Sequence, residues 1–219
     1  MKVLVFGATG GSGRAAVQQL LAEGHVVSAF TRRPLAEQRA VHHIHGDVMN
    51  RADVERAVMG QDAVVVTLGI SENPFRVRLF GPARTPMTVR SLGTKHIIAA
   101  MHKHGVRKLV VQTTYGVGAT RDRLKFADRL FFDLILKPQI VDTELQNSDV
   151  ADSGLDWVLV QPVHLTDGAD DAMPFISTQG DVGALKVTRN SVGRLLAQAV
   201  ADPDLVRKSV AVSGQRAVA

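Results

Sequence analysis

The stretch Met1-Lys-Val-Leu-Val-Phe-Gly-Ala-Thr-Gly-Gly-Ser-Gly13 decides the fold of this chain. Its apolar run from Val3 to Phe6 is typical of a buried strand, and a glycine-rich turn begins at Gly7. From Arg14 onward, apolar residues recur with helical spacing. Glycines in such a turn let the backbone approach a phosphate closely, and free N–H groups at the helix start attract its charge. The stretch therefore predicts a dinucleotide-binding turn, with a turn of purely structural importance as the alternative.

The rest of the chain alternates between strand-like and helix-like patterns, which predicts a parallel sheet covered by helices on both faces. The predicted strands are Lys2–Phe6, Val26–Thr31, Val41–His45, Ala63–Leu68, Lys108–Thr113, Trp157–Gln161 and Val210–Ser213. The predicted helices are Ser12–Glu23, Arg51–Met59, Val89–His104, Leu124–Leu136, Asp142–Asp152 and Ser191–Ala201. We expect an α/β fold, a Rossmann-like doubly wound parallel sheet, in one domain of residues 1–219. Residues 1–153 would form the dinucleotide-binding core and residues 154–219 a small C-terminal lobe on the substrate side.

Two polar segments interrupt this alternation, Ser71–Thr88 and Asp167–Ala184. Both contain proline and are predicted to be loops. Long loops in compact domains are functional covers or disordered connections, and both alternatives stay open here. If they cover a ligand, they lie at the carboxyl edge of the sheet, where doubly wound folds bind their ligands.

Composition excludes several classes of function. The 219 residues include no cysteine, so disulfides, thiolate catalysis and cysteine zinc sites are excluded. The net charge of +5 suits an anionic ligand. The basic residues are not interleaved with aromatic residues on a nucleic-acid-binding module, so we expect no nucleic-acid partner. Since Met1 leads directly into the first strand and no apolar run is long enough to span a bilayer, we expect a cytoplasmic protein without membrane attachment.

The second predicted strand ends in Thr31-Arg32-Arg33, and this ending predicts NADP rather than NAD. Sites that prefer NAD place a carboxylate here, whereas arginine pairs with the 2′-phosphate of NADP. Arg32 would bind that phosphate and Arg33 would flank it or stack on adenine; two solvated surface arginines are the alternative. Asp47-Val48 would contact adenine, and Leu68-Gly69 would lie along the adenosine half.

A family resemblance extends over most of the chain and fails mainly at Ser71–Thr88 and Gly116–Gln139. The residues that carry it are Gly7-Ala-Thr-Gly-Gly-Ser-Gly13, Arg32, Gly46-Asp-Val48, Gly60-Gln-Asp-Ala-Val-Val-Val66, Leu68-Gly69, Ile98-Ala-Ala-Met-His-Lys-His-Gly-Val106 and Ser153-Gly-Leu-Asp-Trp-Val-Leu-Val-Gln-Pro162. The chain resembles the atypical short-chain dehydrogenases, and within them the NAD(P)H-binding, NmrA-like group that includes biliverdin reductase B and flavin reductase. The resemblance implies that the turn residues contact the cofactor, namely Gly7, Thr9, Gly10, Gly11, Ser12 and Gly13. It likewise assigns Thr113, Pro162 and Val163 to the cofactor, with Pro162 and Val163 against the nicotinamide.

The chain departs from the wider superfamily at the catalytic acid. That superfamily uses a tyrosine with a lysine four residues later, but the single tyrosine here, Tyr115, is followed at that distance by Ala119. Biliverdin reductase B-like proteins tolerate the absence because a conjugated acceptor takes hydride without a protein acid. The resemblance implies that Thr114, in place of the group's serine, borders the acceptor, and that His164 donates to the substrate or packs beside the nicotinamide amide. Because Tyr115 directly follows Thr114, it would border the same pocket.

The resemblance therefore implies an NADPH-dependent reductase whose substrate is a conjugated small molecule, such as a flavin, a quinone or a biliverdin-like tetrapyrrole. A non-catalytic NADP(H)-binding redox sensor of the NmrA type is the alternative. We expect a monomer or a homodimer. An epimerase is disfavoured, since that chemistry needs the missing acid.

Four other groups invite interpretation. The histidines in His42-His43-Ile-His45 lie on a predicted strand without enough nearby carboxylates, so we expect no metal site. Asp142, Glu144, Gln146 and Asp149 are interpreted as a solvated helix face, with acid catalysis as the alternative. Phe126, Phe131 and Phe132 predict a pocket wall or a dimer surface. Arg76, Arg78 and Arg84 would receive an anionic group of the substrate.

Overall fold

The computed structural model describes residues 1–32, 40–70, 85–123, 137–170 and 172–215. The strands in chain order are β1 Lys2–Phe6, β2 Val26–Thr31, β3 Val41–His45, β4 Ala63–Val66, β5 Lys108–Gln112, β6 Asp156–Pro162, β7 His164–Thr166, β8 Phe175–Ser177, β9 Lys186–Thr188 and β10 Lys208–Ser213. The helices are α1 Gly11–Ala22, α2 Arg51–Val58, α3 Val89–His104, α4 Lys137–Ala151 and α5 Arg189–Ala201, with a 3₁₀ helix at Gly118–Arg123.

Eight of these strands form one sheet in the order β3-β2-β1-β4-β5-β6-β10-β8. Neighbouring strands run parallel, except that β8 pairs antiparallel with β10. The chain works outward from β1 to β3 and then returns to place β4 on the other side of β1. A crevice forms at the carboxyl ends of the strands where the order reverses, so this topology positions a ligand site beyond β1 and β4. The predicted doubly wound α/β fold is confirmed.

Both faces of the sheet are buried. Val3 and Val5 of β1 face a core that includes residues of α1 and α5, whereas Leu4 and Phe6 face a core that includes residues of α2 and α3. This alternation explains the uninterrupted apolar run of β1, because a strand covered on both sides needs apolar residues at every position. No described helix is both long enough and apolar enough to cross a bilayer.

The predicted element bounds agree closely with the structure along the first half of the sheet. The strands Lys2–Phe6, Val26–Thr31 and Val41–His45 and the helix Val89–His104 are confirmed residue for residue. The predicted helix 124–136 and the aromatic residues on it lie outside the described residues, as do residues 71–84 with Arg76, Arg78 and Arg84.

Two predictions in the second half were wrong. The helix predicted from Asp142 begins at Lys137. The segment Asp167–Ala184, predicted as a loop, contains strand β8, which pairs with Ala211, Val212 and Ser213 of β10. A three-residue strand at the edge of a sheet is stabilised by that long-range pairing. Its own residues therefore do not predict a strand.

Candidate cofactor-binding site

The turn between β1 and α1 is built by backbone atoms that touch each other. Gly7 has a φ of +80°, and a Cβ there would lie 2.6 Å from the carbonyl oxygen of Thr67. A Cβ at Gly13 would lie 2.2 Å from the carbonyl oxygen of Gly7. The Gly7 carbonyl also accepts a hydrogen bond of 3.0 Å from the Gly10 N–H. Because these contacts join backbone to backbone, only glycine fits at positions 7 and 13.

The start of α1 leaves its backbone donors available. Gly10 is the N-cap residue and supplies no side-chain cap, and the first turn contains no acidic residue. The first N–H groups of a helix have no partner within it, and together with the helix dipole they attract an anion. The turn is therefore a suitable cradle for a phosphate group.

A cleft of about 210 Å³ adjoins this turn at the carboxyl edge of the sheet. Its walls come from the residues after β1, β2, β3 and β4 and from the start of α3. The predicted cofactor residues that line it are Gly7, Thr9, Gly10, Arg32, Asp47, Val48, Leu68 and Gly69. The lining residues that the sequence analysis missed are Phe30, Thr31, Met49, Thr67, Thr85, Pro86 and Val89. The structure thus brings the adenosine-side predictions together in one place; Arg33 lies outside the described residues.

Two polar residues define the outer end of the cleft. Arg32 is exposed, and its Nη2 lies 3.5 Å from the hydroxyl of Thr85. Asp47 is fixed in the turn before α2, because its Oδ1 accepts a 2.9 Å hydrogen bond from the Met49 N–H. The Asp47 N–H in turn donates to the carboxylate of Asp53, and this bond lowers the Asp53 pKa, with a further contribution from Arg56. The outer end therefore presents one guanidinium and one oriented carboxylate.

The start of α3, which lines the cleft at Val89, is fixed by a buried polar contact with α4. Asp142 is 5% exposed and caps α3 from outside the helix, accepting the N–H groups of Arg90 and Ser91, both at 3.1 Å, and the Ser91 hydroxyl at 2.5 Å. The interpretation of the α4 acidic stretch as a solvated face was wrong for Asp142 and Gln146, which are both buried. Gln146 donates to the Thr94 hydroxyl on α3 at 2.9 Å. The four-residue spacing of these two residues puts both on the side of α4 that packs on α3.

Arg90 brings a further positive charge to the cleft. A Cβ at Gly69 would lie 3.1 Å from the Arg90 Nη2, so the guanidinium lies alongside the strand end that lines the cleft. Burial lowers the pKa of Arg90, and the neighbouring Asp142 carboxylate acts in the opposite direction. Arginine side chains remain protonated in proteins. Sequence reading missed Arg90 because nothing local distinguishes it from other arginines that begin a helix.

The residues predicted for the nicotinamide side lie at the ends of β5 and β6. Backbone hydrogen bonds connect these ends, from the Thr113 N–H to Val160 and from the Tyr115 N–H to Pro162. Val163 is 9% exposed and continues the pattern by donating to Val212 of β10. Among the described residues, the buried Thr113 hydroxyl has no hydrogen-bond partner. These residues form a continuous edge two and three strands away from β1 in the sheet. Thr113, Pro162 and Val163 are not among the walls of the adenosine-side cleft.

The three residues predicted for the acceptor side differ in accessibility. Tyr115 is 8% exposed, and its hydroxyl donates to the Gly180 carbonyl at 3.1 Å; burial raises its pKa. Thr114 is half-buried, and its hydroxyl lies 3.4 Å from the Tyr115 carbonyl oxygen. His164 is exposed at the first position of β7. The Tyr115 hydroxyl is therefore already engaged, whereas the His164 ring reaches solvent.

The strand histidines lie on β3, the edge strand of the sheet that is farther from the ends of β5 and β6. His42, His43 and His45 are exposed, and the His45 ring contacts the Arg32 carbonyl at 3.2 Å. In the part of the chain that the structure describes, no three His, Cys, Asp or Glu residues are grouped to hold a metal ion.

Comparison with known proteins agrees with this geometry. A sequence model of a family described as NAD(P)H-binding matches residues 7–203. The chain belongs to this NAD(P)H-binding family. The match begins at the first glycine of the turn and ends two residues after α5, so its range includes the position of every predicted site residue.

Individual relatives are more distant. The 2-alkyl-3-oxoalkanoate reductase of Stenotrophomonas maltophilia (strain K279a) is 34% identical over 119 residues, which are 53% of this chain and 34% of that protein. The chain spans about a third to somewhat more than half of the length of the curated relatives it matches.

Solved structures show the same fold. The anaerobilin reductase ChuY from Escherichia coli O157:H7 has a TM-score of 0.79 at 21% identity, with 100% of this chain and 99% of that chain covered. A short-chain dehydrogenase/reductase from Veillonella parvula DSM 2008 in complex with NADP has a TM-score of 0.76 at 17% identity, with 97% and 94% covered.

The buried Asp142 contact leads to a stability prediction. Asp142→Asn leaves one of the two buried N–H groups of α3 without an acceptor, so we expect a loss of about 1–3 kcal/mol in the free energy of unfolding. Urea denaturation measures it. The control is Asp156→Asn, which breaks the surface pair with Arg107 and should cost no more than about 1 kcal/mol. Equal losses in the two variants would contradict the assigned role of Asp142.

Proposed function

We propose that the protein is an NADPH-dependent reductase whose acceptor is a conjugated small molecule, such as a flavin, a quinone or a biliverdin-like tetrapyrrole. The observation that carries the proposal is the combination of an uncapped glycine turn for the diphosphate with an acceptor side that lacks an available tyrosine acid. The family assignment supports the dinucleotide, and the reductases among the relatives support the class of reaction.

Arg32 is the residue that would select NADPH over NADH. It lies at the end of β2, lines the cleft and is exposed, as a ligand for the 2′-phosphate must be. Among the described residues that line the cleft, Asp47 is the only carboxylate, and it lies after β3 rather than after β2. A carboxylate that would bind the ribose hydroxyls of NAD is therefore missing from the described part of the β2 end.

The diphosphate would lie on the N–H groups of Gly11 to Gly13, and the nicotinamide would reach the edge formed by Thr113, Pro162 and Val163. When bound, NADPH supplies a hydride to the acceptor. The chain's own contribution is to hold the two partners in contact, since correct placement alone lowers the barrier substantially. The acceptor's proton then comes from solvent or from the exposed His164.

Tyr115 has a supporting role in this proposal. Its hydroxyl is engaged by Gly180, and its N–H bonds to Pro162, so it fixes the strand end on which the nicotinamide would rest. Thr114 and His164 are the proposed acceptor contacts. A conjugated acceptor suits this arrangement, because hydride addition to an extended π-system places negative charge on atoms that water can protonate.

Selectivity for NADPH can be measured directly. Arg32→Ala removes a charged hydrogen bond to the 2′-phosphate, worth about 1.5–3 kcal/mol, so we expect NADPH to bind about ten- to a hundredfold more weakly. NADH affinity should not change, and Arg32→Lys should fall between the two proteins. Calorimetric titration measures all three. Wild-type protein that binds both nucleotides equally well would contradict the assignment.

Turnover tests the reductase itself. We expect wild-type protein to oxidise NADPH in the presence of FMN, dichlorophenolindophenol or menadione, with a lower kcat in His164→Ala. Tyr115→Phe should keep kcat within about threefold while lowering stability by about 1 kcal/mol, since only a structural hydrogen bond is lost. NADPH binding without turnover above the uncatalysed rate would contradict the reductase and favour the redox sensor.

A further inference from the structure

The first turn of α5 lies beside the first turns of α1. A Cβ at Gly193 would lie 2.5 Å from the Ala15 side chain, so the two helices pack with almost no space between their backbones. Thr188 caps α5 by accepting the Ser191 N–H at 3.1 Å. Two helix starts therefore converge next to the glycine turn, and Arg189 is the first residue of the second helix.

The Arg189 side chain runs across Gly11. A Cβ at Gly11 would lie 2.3 Å from the Arg189 Cδ and 2.9 Å from its Nε. Gly11 is the first residue of α1, where the backbone donors are free. The absence of a side chain at Gly11 thus gives the guanidinium its place against the phosphate cradle. The sequence predicts that Gly11 contacts the cofactor, but it does not predict that the Arg189 side chain packs against Gly11.

Arg189 is held in this place by a carboxylate that is easily replaced. Its Nη1 donates to Asp167 at 2.7 Å, and the Asp167 side chain is 90% exposed. The segment that follows Asp167 is also fixed to the start of α5. The Asn190 side chain donates to the Gly168 carbonyl at 2.9 Å, and the Thr188 hydroxyl donates to the Asp170 carbonyl at 2.5 Å. An exposed ion pair contributes about 0–1 kcal/mol, so a phosphate group can take the arginine from Asp167 at little cost.

We propose that Arg189 is a ligand for the cofactor's diphosphate and that Asp167 competes with the diphosphate for it. The inference rests on the proposed cofactor site. In the free protein the Asp167 carboxylate neutralises the guanidinium beside Gly11. In the complex the diphosphate receives both the α1 N–H groups and the guanidinium, whose fork suits phosphate oxygens. Cofactor binding then releases Asp167, which directly follows β7, the strand that begins with His164.

The test uses five variants of the whole protein and three ligands in calorimetric titrations. Arg189→Ala should weaken NADPH and NADH by the same factor, about ten- to a hundredfold, because both carry the diphosphate. Adenosine 2′-monophosphate has no diphosphate, so its affinity should stay at the wild-type value. Arg189→Lys should lie between wild type and Arg189→Ala. The control Lys208→Ala removes a cation from the amino end of β10, at the other edge of the sheet, and should change nothing.

Asp167→Asn provides the opposite change. Removing the competitor should tighten NADPH and NADH by about two- to fivefold. In an Arg189→Ala background the same substitution should have no effect, because the competition no longer exists.

These outcomes separate the inference from the proposed function. Unchanged NADPH and NADH affinities in Arg189→Ala overturn the inference, as does an Asp167→Asn variant that binds no more tightly, even if Arg189→Ala fails to fold. Equal affinities of the wild-type protein for NADPH and NADH overturn the proposal that Arg32 selects NADPH. The comparison of wild type with Arg189→Ala still tests the diphosphate contact in that case. Wild-type protein that binds neither nucleotide overturns both.

Discussion

The close backbone contact between Gly13 and Gly7 is the constraint on which the rest of the structure depends. With the Gly13 Cα against the Gly7 carbonyl, α1 starts directly above the end of β1 and points its free N–H groups at the sheet edge. A second close contact, Gly193 on Ala15, brings α5 to the same place. The helices and strands meet here without side chains between them. This close packing produces the phosphate cradle, the position of Arg189 and the crevice between β1 and β4.

Burial on both faces of the sheet explains why the site lies where it does. The strands of the sheet's centre have no solvated face, so polar chemistry is confined to their ends. Three arginines occupy this edge: Arg32 at the outer end, Arg90 beside Gly69 and Arg189 across Gly11. The Arg32 guanidinium contacts the Thr85 hydroxyl, and the Arg189 guanidinium pairs with Asp167. The positive charge at this edge suits the phosphate groups of the proposed cofactor.

The sequence was sufficient for the parts of the fold that depend on local pattern. The β1 run, the glycine turn and the spacing of α3 each contain their own signal, and the adenosine-side residues followed from their positions after successive strands. The three short strands β7, β8 and β9 have no recognisable strand pattern in their own residues. They are stabilised by pairing with strands that are distant in the sequence. Asp142 was misjudged for the same reason: a carboxylate looks solvated until the helix whose N–H groups it caps is in place. Arg189 lies far from Gly11 in sequence, and their contact is visible only in three dimensions.

Amide hydrogen exchange of the glycine turn, followed by NMR as NADPH is added, tests the phosphate cradle most directly. In the free protein the N–H groups of Gly11, Ser12 and Gly13 have no helical acceptor and should exchange rapidly. At saturating NADPH their exchange should slow markedly, as the diphosphate accepts them. NADPH binding that saturates while these three amides keep their exchange rates and resonance positions would contradict the cradle.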